Sequence, residues 1–402
     1  MINRRQALLG ACLGSVAAVC GGTFAALSRK RETVIQIWSD STGNGEHDPR
    51  EWPYLWADAA VAAGQSVEIM PWLVEAAEYG QATLLGDGTP EIQIRNFAVP
   101  GSIFEYPMGP LWDRAFGERP DFILVNLGLN HGFGLEHEVV RGEIAVGLGR
   151  MIAAFPGVPI ACIKQNPFSD NAGMEMVFSI LDEMANFYGI DLIDVGTKFR
   201  SRSGDVLYMP GDNTHPNQAG QDLYCEAMLE YWPRRTERPP SIPQGARNLL
   251  TNPNFDLQDG GVATGWDFGG TVTGSLSKSQ NGKKLSAAGE GYAYIYQDVP
   301  PALLSDLKGS TISAGFEIAL SDGASDGQGR IFVMVDDRMI QSRTFLPPGG
   351  IDGWRAICGV PIPDGAQRVR LGIFHDQNTT PSVHPLEIRS AFLHVGNFMT
   401  PI

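Results

Sequence analysis

Between Val34 and Tyr231, short runs of apolar and β-branched residues alternate with stretches of helical spacing, and this alternation restricts the possible folds more than any other feature of the chain. Val34–Trp38, Glu91–Arg95, Phe122–Leu127, Val158–Ile163 and Asp191–Asp194 read as strands. Tyr54–Ala63, Glu138–Phe155, Gly173–Tyr188 and Gln218–Trp232 carry apolar residues at helical intervals. Strands separated by helices cannot pair as hairpins, so the pattern predicts a parallel sheet with helices on both faces. Residues 64–90 fit the alternation poorly and read as an insertion with one helix around Trp72–Tyr79. Open α/β sheets bind ligands beyond the carboxyl ends of their strands, where Asp40-Ser41 and Gly128–Asn130 both stand.

The pattern stops at a Pro- and Arg-rich stretch, residues 233–245, which reads as an exposed linker. Beyond it strands recur at short intervals with Gly, Asp and Asn between them: Ala293–Gln297, Thr311–Leu320, Arg330–Val335, Arg355–Val360, Arg368–Phe374 and Leu386–Val395. No helix longer than a turn or two interrupts them, as in an all-β sandwich. A chain of 402 residues exceeds the usual size of one domain, in keeping with an α/β domain over 32–232 and a β-sandwich over 246–402.

The formal charge of −15 becomes −20 without residues 1–31, whose five charges are all basic. Such a surface repels nucleic acid and anionic lipid, so no nucleic-acid partner is expected and the substrate should be neutral or weakly charged. Asn3-Arg4-Arg5-Gln6-Ala7-Leu8-Leu9 is similar to a twin-arginine export motif, and no charge follows it between Ala7 and Leu27. Residues 1–31 therefore read as a bacterial Tat-like signal peptide, or as an uncleaved membrane anchor, since about 20 apolar residues span a bilayer. Either places the protein outside the cytoplasm, with membrane contact only through that segment. Cys162, Cys225 and Cys358 lie outside the segment and read as free thiols. No spacing of Cys and His suggests zinc, and no metal site is expected in the α/β domain.

Four short blocks carry the chemistry. They are Ser39-Asp40-Ser41-Thr42-Gly43, Asn96-Phe97-Ala98-Val99-Pro100-Gly101-Ser102, Gly128-Leu129-Asn130-His131, and Asp212 with His215 followed by Pro216-Asn217-Gln218-Ala219-Gly220. In this order they resemble the conserved blocks of SGNH (GDSL) serine esterases over about 200 residues. The resemblance implies a flavodoxin-like three-layer α/β/α fold and a catalytic triad of Ser41, Asp212 and His215. It also implies an oxyanion hole built from the Ser41 and Gly101 backbone amides and the Asn130 side chain. Ser39, Ala98 and His131 depart from the family pattern. Asn248-Leu249-Leu250-Thr251-Asn252-Pro253-Asn254-Phe255, with Gly265-Trp266, resembles the first strand of jelly-roll, galactose-binding-like modules that accompany carbohydrate-active enzymes.

The residue types support the same chemistry. A serine hydroxyl becomes nucleophilic when an imidazole takes its proton, and a carboxylate three residues before the histidine can hold the required tautomer. The resemblance thus implies an exported carboxylic-ester hydrolase without a catalytic cofactor, working through an acyl-serine on an acylated carbohydrate or a small ester. A polysaccharide O-acyltransferase, a lipase-like esterase and a non-catalytic carbohydrate-binding protein are the rivals. Alternatively, Asp212 or Asn213 would simply begin the next helix. His131, His47, Trp266 and Trp354 are further substrate-binding candidates, and Tyr292, Tyr294 and Tyr296 alternate onto one face. Asp256, Asp259, Asp336 and Asp337 are candidate ligands for a structural calcium ion in the β domain.

Overall fold

Ile35 and Ile37 lie on one face of the first strand and Gln36 and Trp38 on the other, and all four are buried, the environment of a strand inside a sheet covered on both sides. The computed structural model describes residues 32–44, 50–104, 111–131, 135–168, 172–243, 247–257, 263–278, 282–287, 291–319, 328–342, 353–376 and 386–397. The candidate signal segment at 1–31 lies outside them. Among the described residues, no helix is long and apolar enough to cross a membrane. The chain falls into two compact units, one drawn from Met1–Ile103, Asp113–Phe133 and Ala154–Ser241, the other from Phe104–Trp112, Gly134–Ala153 and Ile242–Ile402.

In the first part of the chain the elements run β1 (Thr33–Ser39), α1 (Trp52–Ala62), β2 (Val67–Leu73), β3 (Glu78–Tyr79), β4 (Thr83–Leu85), β5 (Ile92–Ala98), α2 (Trp112–Phe116), β6 (Phe122–Asn126), α3 (His137–Ala154), β7 (Ile160–Lys164), α4 (Ala172–Tyr188), β8 (Asp191–Asp194), α5 (Val195–Ser201) and α6 (Gln218–Tyr231). The sheet order is β3-β2-β5-β1-β6-β7-β8, with β4 also on β2. From β2 to β8 every pairing is parallel, while β3 and β4 run antiparallel to β2. Helices α1, α5 and α6 cover the face bearing Ile35 and Ile37, adding Trp52, Trp56, Phe199 and Tyr224 to that core. On the opposite face Trp38 meets Phe116 edge-on at 5.7 Å, and α4 runs beside β7 and β8.

The helix expected around Trp72–Tyr79 does not form. Val67 and Ile69 alternate inward in register with Ile92 and Ile94 of β5, and the segment after them turns back as a hairpin, Trp72 and Leu73 pairing with Tyr79 and Glu78 of β3. Trp72 instead packs on Phe97 at 4.5 Å.

Helix α3 belongs, apart from Ala154, to the second unit. Val139 joins the β core, and Arg338 bridges Glu136 and Glu138 at 3.2 and 3.0 Å. At Gly142 the helix approaches the Ala356 carbonyl so closely that an added Cβ would lie 2.0 Å from its oxygen.

The remaining strands are β9 (Asp267–Gly270), β10 (Gly274–Lys278), β11 (Lys283–Ala287), β12 (Tyr292–Asp298), β13 (Thr311–Ala319), β14 (Gln328–Val335), β15 (Arg338–Gln341), β16 (Gly353–Pro361), β17 (Val369–Asp376) and β18 (Leu386–Val395), with α7 (Pro301–Leu307) between β12 and β13. They form two antiparallel five-stranded sheets, β10-β11-β18-β13-β16 and β15-β14-β17-β12-β9. Residues of both sheets, among them Phe316, Ile388, Ile295 and Leu371, fill one core. No disulfide joins Cys162, Cys225 and Cys358 among the described residues, and burial pushes the Cys225 thiol up to about 12.

Candidate active site

Ser41 follows the carboxyl end of β1 and opens a tight turn, Ser41–Gly43. Asp40 caps that turn, its Oδ1 accepting from the Thr42 N–H at 3.0 Å and the Thr42 hydroxyl at 2.8 Å. The Asn126 amide donates to Thr42 Oγ1 and to Ser39 Oγ, both at 2.8 Å. Ser39 thus supplies a buried acceptor two residues before Ser41. Complete burial raises the Asp40 carboxyl above its ordinary value, against hydrogen bonds from Gln165 and Thr42 that lower it.

His215 Nε2 lies 2.9 Å from Ser41 Oγ, and His215 Nδ1 lies 2.6 Å from Asp212 Oδ2. With Nδ1 donating to the carboxylate, Nε2 is left to accept the serine proton. Asp212 Oδ1 accepts from the backbone N–H groups of Thr214 and His215 at 2.7 and 3.1 Å. Burial raises the Asp212 carboxyl, but the bonds from His215 and Thr214 outweigh it and hold it below its ordinary range. Asp212 and Asn213 do not begin the helix. Asn217 caps α6 by accepting from the Gly220 N–H at 3.1 Å, which leaves the Asp212 carboxylate to the imidazole.

Three loops are knitted together here. The Val99 N–H and the Ser102 hydroxyl both donate to Ser39 O, at 3.0 and 3.2 Å. Asn130 Nδ2 donates to Ser102 O at 2.9 Å. Gly101 turns at φ +74°, with open space where a Cβ would stand. A cleft of about 340 Å³ is lined by Ser41, Asp212 and His215, with Met209, Pro210 and Glu51 on its walls.

Other candidates are placed differently. His131 is wholly buried, since its N–H closes a short turn on Gly128 O that directs the ring inward, so it is not presented to substrate. Trp266, 3% exposed, is likewise a core residue, packed on Phe255 at 4.4 Å with its indole N–H donating to Asn252 O at 3.0 Å. Trp354 is half-buried on β16, edge-on to Phe392 at 5.2 Å. Tyr292, Tyr294 and Tyr296 do share a face, half-buried, with Tyr294 against Phe332 and Phe374. His47 and Asp259 lie outside the described residues. Among the described residues no three His, Cys, Asp or Glu side chains group as metal ligands. Asp336 Oδ1 instead accepts from the N–H groups of Gln367 and Arg368.

No family model matches the chain, and no curated protein matches it. Among solved structures it is similar to a two-domain esterase (CEX) active on acetylated mannans, at 12% identity over 94% of each chain with a TM-score of 0.40. It is also similar to the lipase/acylhydrolase from Enterococcus faecalis, at 16% identity over 50% of this chain and 94% of that one, TM-score 0.38. A member of the lipolytic G-D-S-L family from Veillonella parvula is similar at 14% identity over 50% of this chain and 100% of that one, TM-score 0.35. Identities and scores this low leave the chemistry to be read from the chain's own side chains.

Two residues of the site carry no motif. Gln165 and Asn166, just beyond β7, are buried and hydrogen-bonded to the loops that bear Ser41, Asn130 and His215.

Proposed function

We propose that the protein is an SGNH-type serine carboxylic-ester hydrolase that removes short acyl groups, acetyl above all, from a neutral carbohydrate. The alignment of Ser41 Oγ, the His215 imidazole and the Asp212 carboxylate at 2.9 and 2.6 Å carries this reading.

Ser41 Oγ attacks the ester carbonyl while His215 Nε2 takes its proton, and the carbonyl electrons move to oxygen. The Ser41 and Gly101 N–H groups and the Asn130 amide receive that oxyanion, each such donor contributing about 10²–10³ in kcat. His215 then passes its proton to the leaving alcohol, and an acyl-serine remains. Water, deprotonated by His215, attacks the acyl carbon; the carboxylic acid departs, His215 returns the proton to Ser41, and the acid then ionises in solvent. Asp212 stays ionised throughout and stabilises the imidazolium.

The negative formal charge of −15 favours a neutral substrate. The modest cleft volume suits a short acyl group, and the Tat-like segment suits work on material outside the cytoplasm. The test is acetate release from an acetylated polysaccharide and turnover of p-nitrophenyl esters of increasing chain length. Acetyl esters should react fastest, and Ser41→Ala should abolish turnover. Rates that rise with chain length would favour a lipase, and acetyl groups moved onto an added oligosaccharide would favour an acyltransferase.

A further inference from the structure

Gln165 and Asn166 follow directly from the carboxyl end of β7, 1% and 0% exposed, and neither has a place among the triad or the oxyanion donors. Gln165 Nε2 points to the nucleophile turn, donating to Asp40 Oδ2 at 2.9 Å and to Thr42 Oγ1 at 3.1 Å. Its Oε1 accepts from the Leu129 N–H at 2.8 Å, one residue before Asn130. Asn166 points toward the base. Its Nδ2 donates to Thr214 O at 2.8 Å, next to His215. Its Oδ1 accepts from the Tyr224 hydroxyl of α6 at 2.7 Å, and its N–H donates back to that oxygen at 3.0 Å.

We infer that Gln165 and Asn166 are a positioning pair, which sets the Ser41 turn, the Asn130 loop and the His215 loop against a single strand end. A neutral amide suits the task because it donates and accepts at once, so one side chain holds both a carboxylate and an N–H. Burial makes each of these bonds expensive to break, which resists drift of the loops. Tyr224 remains a dependable donor, since burial raises its hydroxyl well above the ordinary tyrosine value. The inference rests on the serine-hydrolase reading of Ser41, His215 and Asp212.

Asn166→Ala should lower kcat on p-nitrophenyl acetate by about tenfold or more, as expected when a reacting group drifts by up to about 1 Å, with little change in KM. Gln165→Glu places a carboxyl against Asp40. While protonated its single O–H can replace the amide's bond to Asp40, and once ionised it repels that carboxylate. The ratio of its kcat to that of the wild type should therefore fall as pH rises, which a purely structural role would not produce. Thermal unfolding identifies any variant that fails to fold. The NMR signal of the His215 Nδ1 proton offers a readout independent of turnover: far downfield and sharp in the wild type, broadened by exchange in Asn166→Ala. Unchanged kcat and an unchanged His215 signal in folded variants would overturn the inference. Wild-type turnover that survives Ser41→Ala would overturn the serine mechanism instead, and the His215 signal would then still decide whether Asn166 holds the loop.

Discussion

Ser41 Oγ and His215 Nε2 stand 2.9 Å apart although 174 positions separate them in the chain. The parallel sheet accounts for the meeting. It delivers Ser41 at the carboxyl end of β1, near its middle, and the loop before α6 returns over that edge. The Met209 N–H bound to His215 O at 3.0 Å and the paired Tyr208 and Pro216 shape that loop.

Asp212→Asn should lower kcat by about 10³–10⁴, because an amide nitrogen facing Nδ1 favours the tautomer that cannot accept from Ser41. KM and the melting temperature should change little. Steady-state kinetics checks this, and a kcat within about tenfold of the wild type would show that Asp212 does not orient the base.

Asp40 and Asp212 should respond to pH in opposite ways. Asp40 is raised by burial, so its contribution to stability is present below its unfolded value and lost as pH rises through its folded one. Asp212 is lowered, so its contribution is present above the unfolded value and lost as pH falls. Asp40→Asn should therefore gain in melting temperature relative to the wild type as pH rises above about 4. Parallel curves from thermal melts across that range would contradict it.

Gly101→Ala should cost about 1–2 kcal/mol, because φ is +74° and L-residues disfavour that region. No neighbour lies within 4 Å of the added Cβ, so relief comes only by moving the turn and its N–H. Activity should accordingly fall by up to about 10²–10³, beyond what the loss of folded protein explains. Kinetics beside chemical denaturation separates the two effects.

Gly142→Ala should destabilise the β unit, although alanine is the better helix former by about 1 kcal/mol. The Cβ would sit 2.0 Å from Ala356 O, and relieving such overpacking costs about 3 kcal/mol or more. A raised melting temperature would contradict that contact.

The alternation of strands and helices was legible because a sheet covered on both faces needs uninterrupted apolar strands, and β1, β6 and β7 carry that signature. Strand β2 was missed since Pro71 and Trp72 hide its alternation, and β9 to β11 since glycine, serine and lysine dominate their short runs. Four blocks in order singled out Ser41, Asp212 and His215, which the fold brings within hydrogen-bond reach of one another. Gln165 and Asn166 were not legible, because a neutral amide acquires its role only from what burial brings to it. Trp266 and His131 mislead for a related reason: an aromatic or imidazole beside a turn looks available until packing directs it inward.

The most direct measurement is fluorophosphonate labelling followed by peptide mass mapping. A serine made nucleophilic by His215 should take up one adduct, on Ser41, and His215→Ala should slow the labelling by orders of magnitude. A folded wild-type protein left unlabelled at Ser41, or labelled there equally fast without His215, would contradict the proposed chemistry.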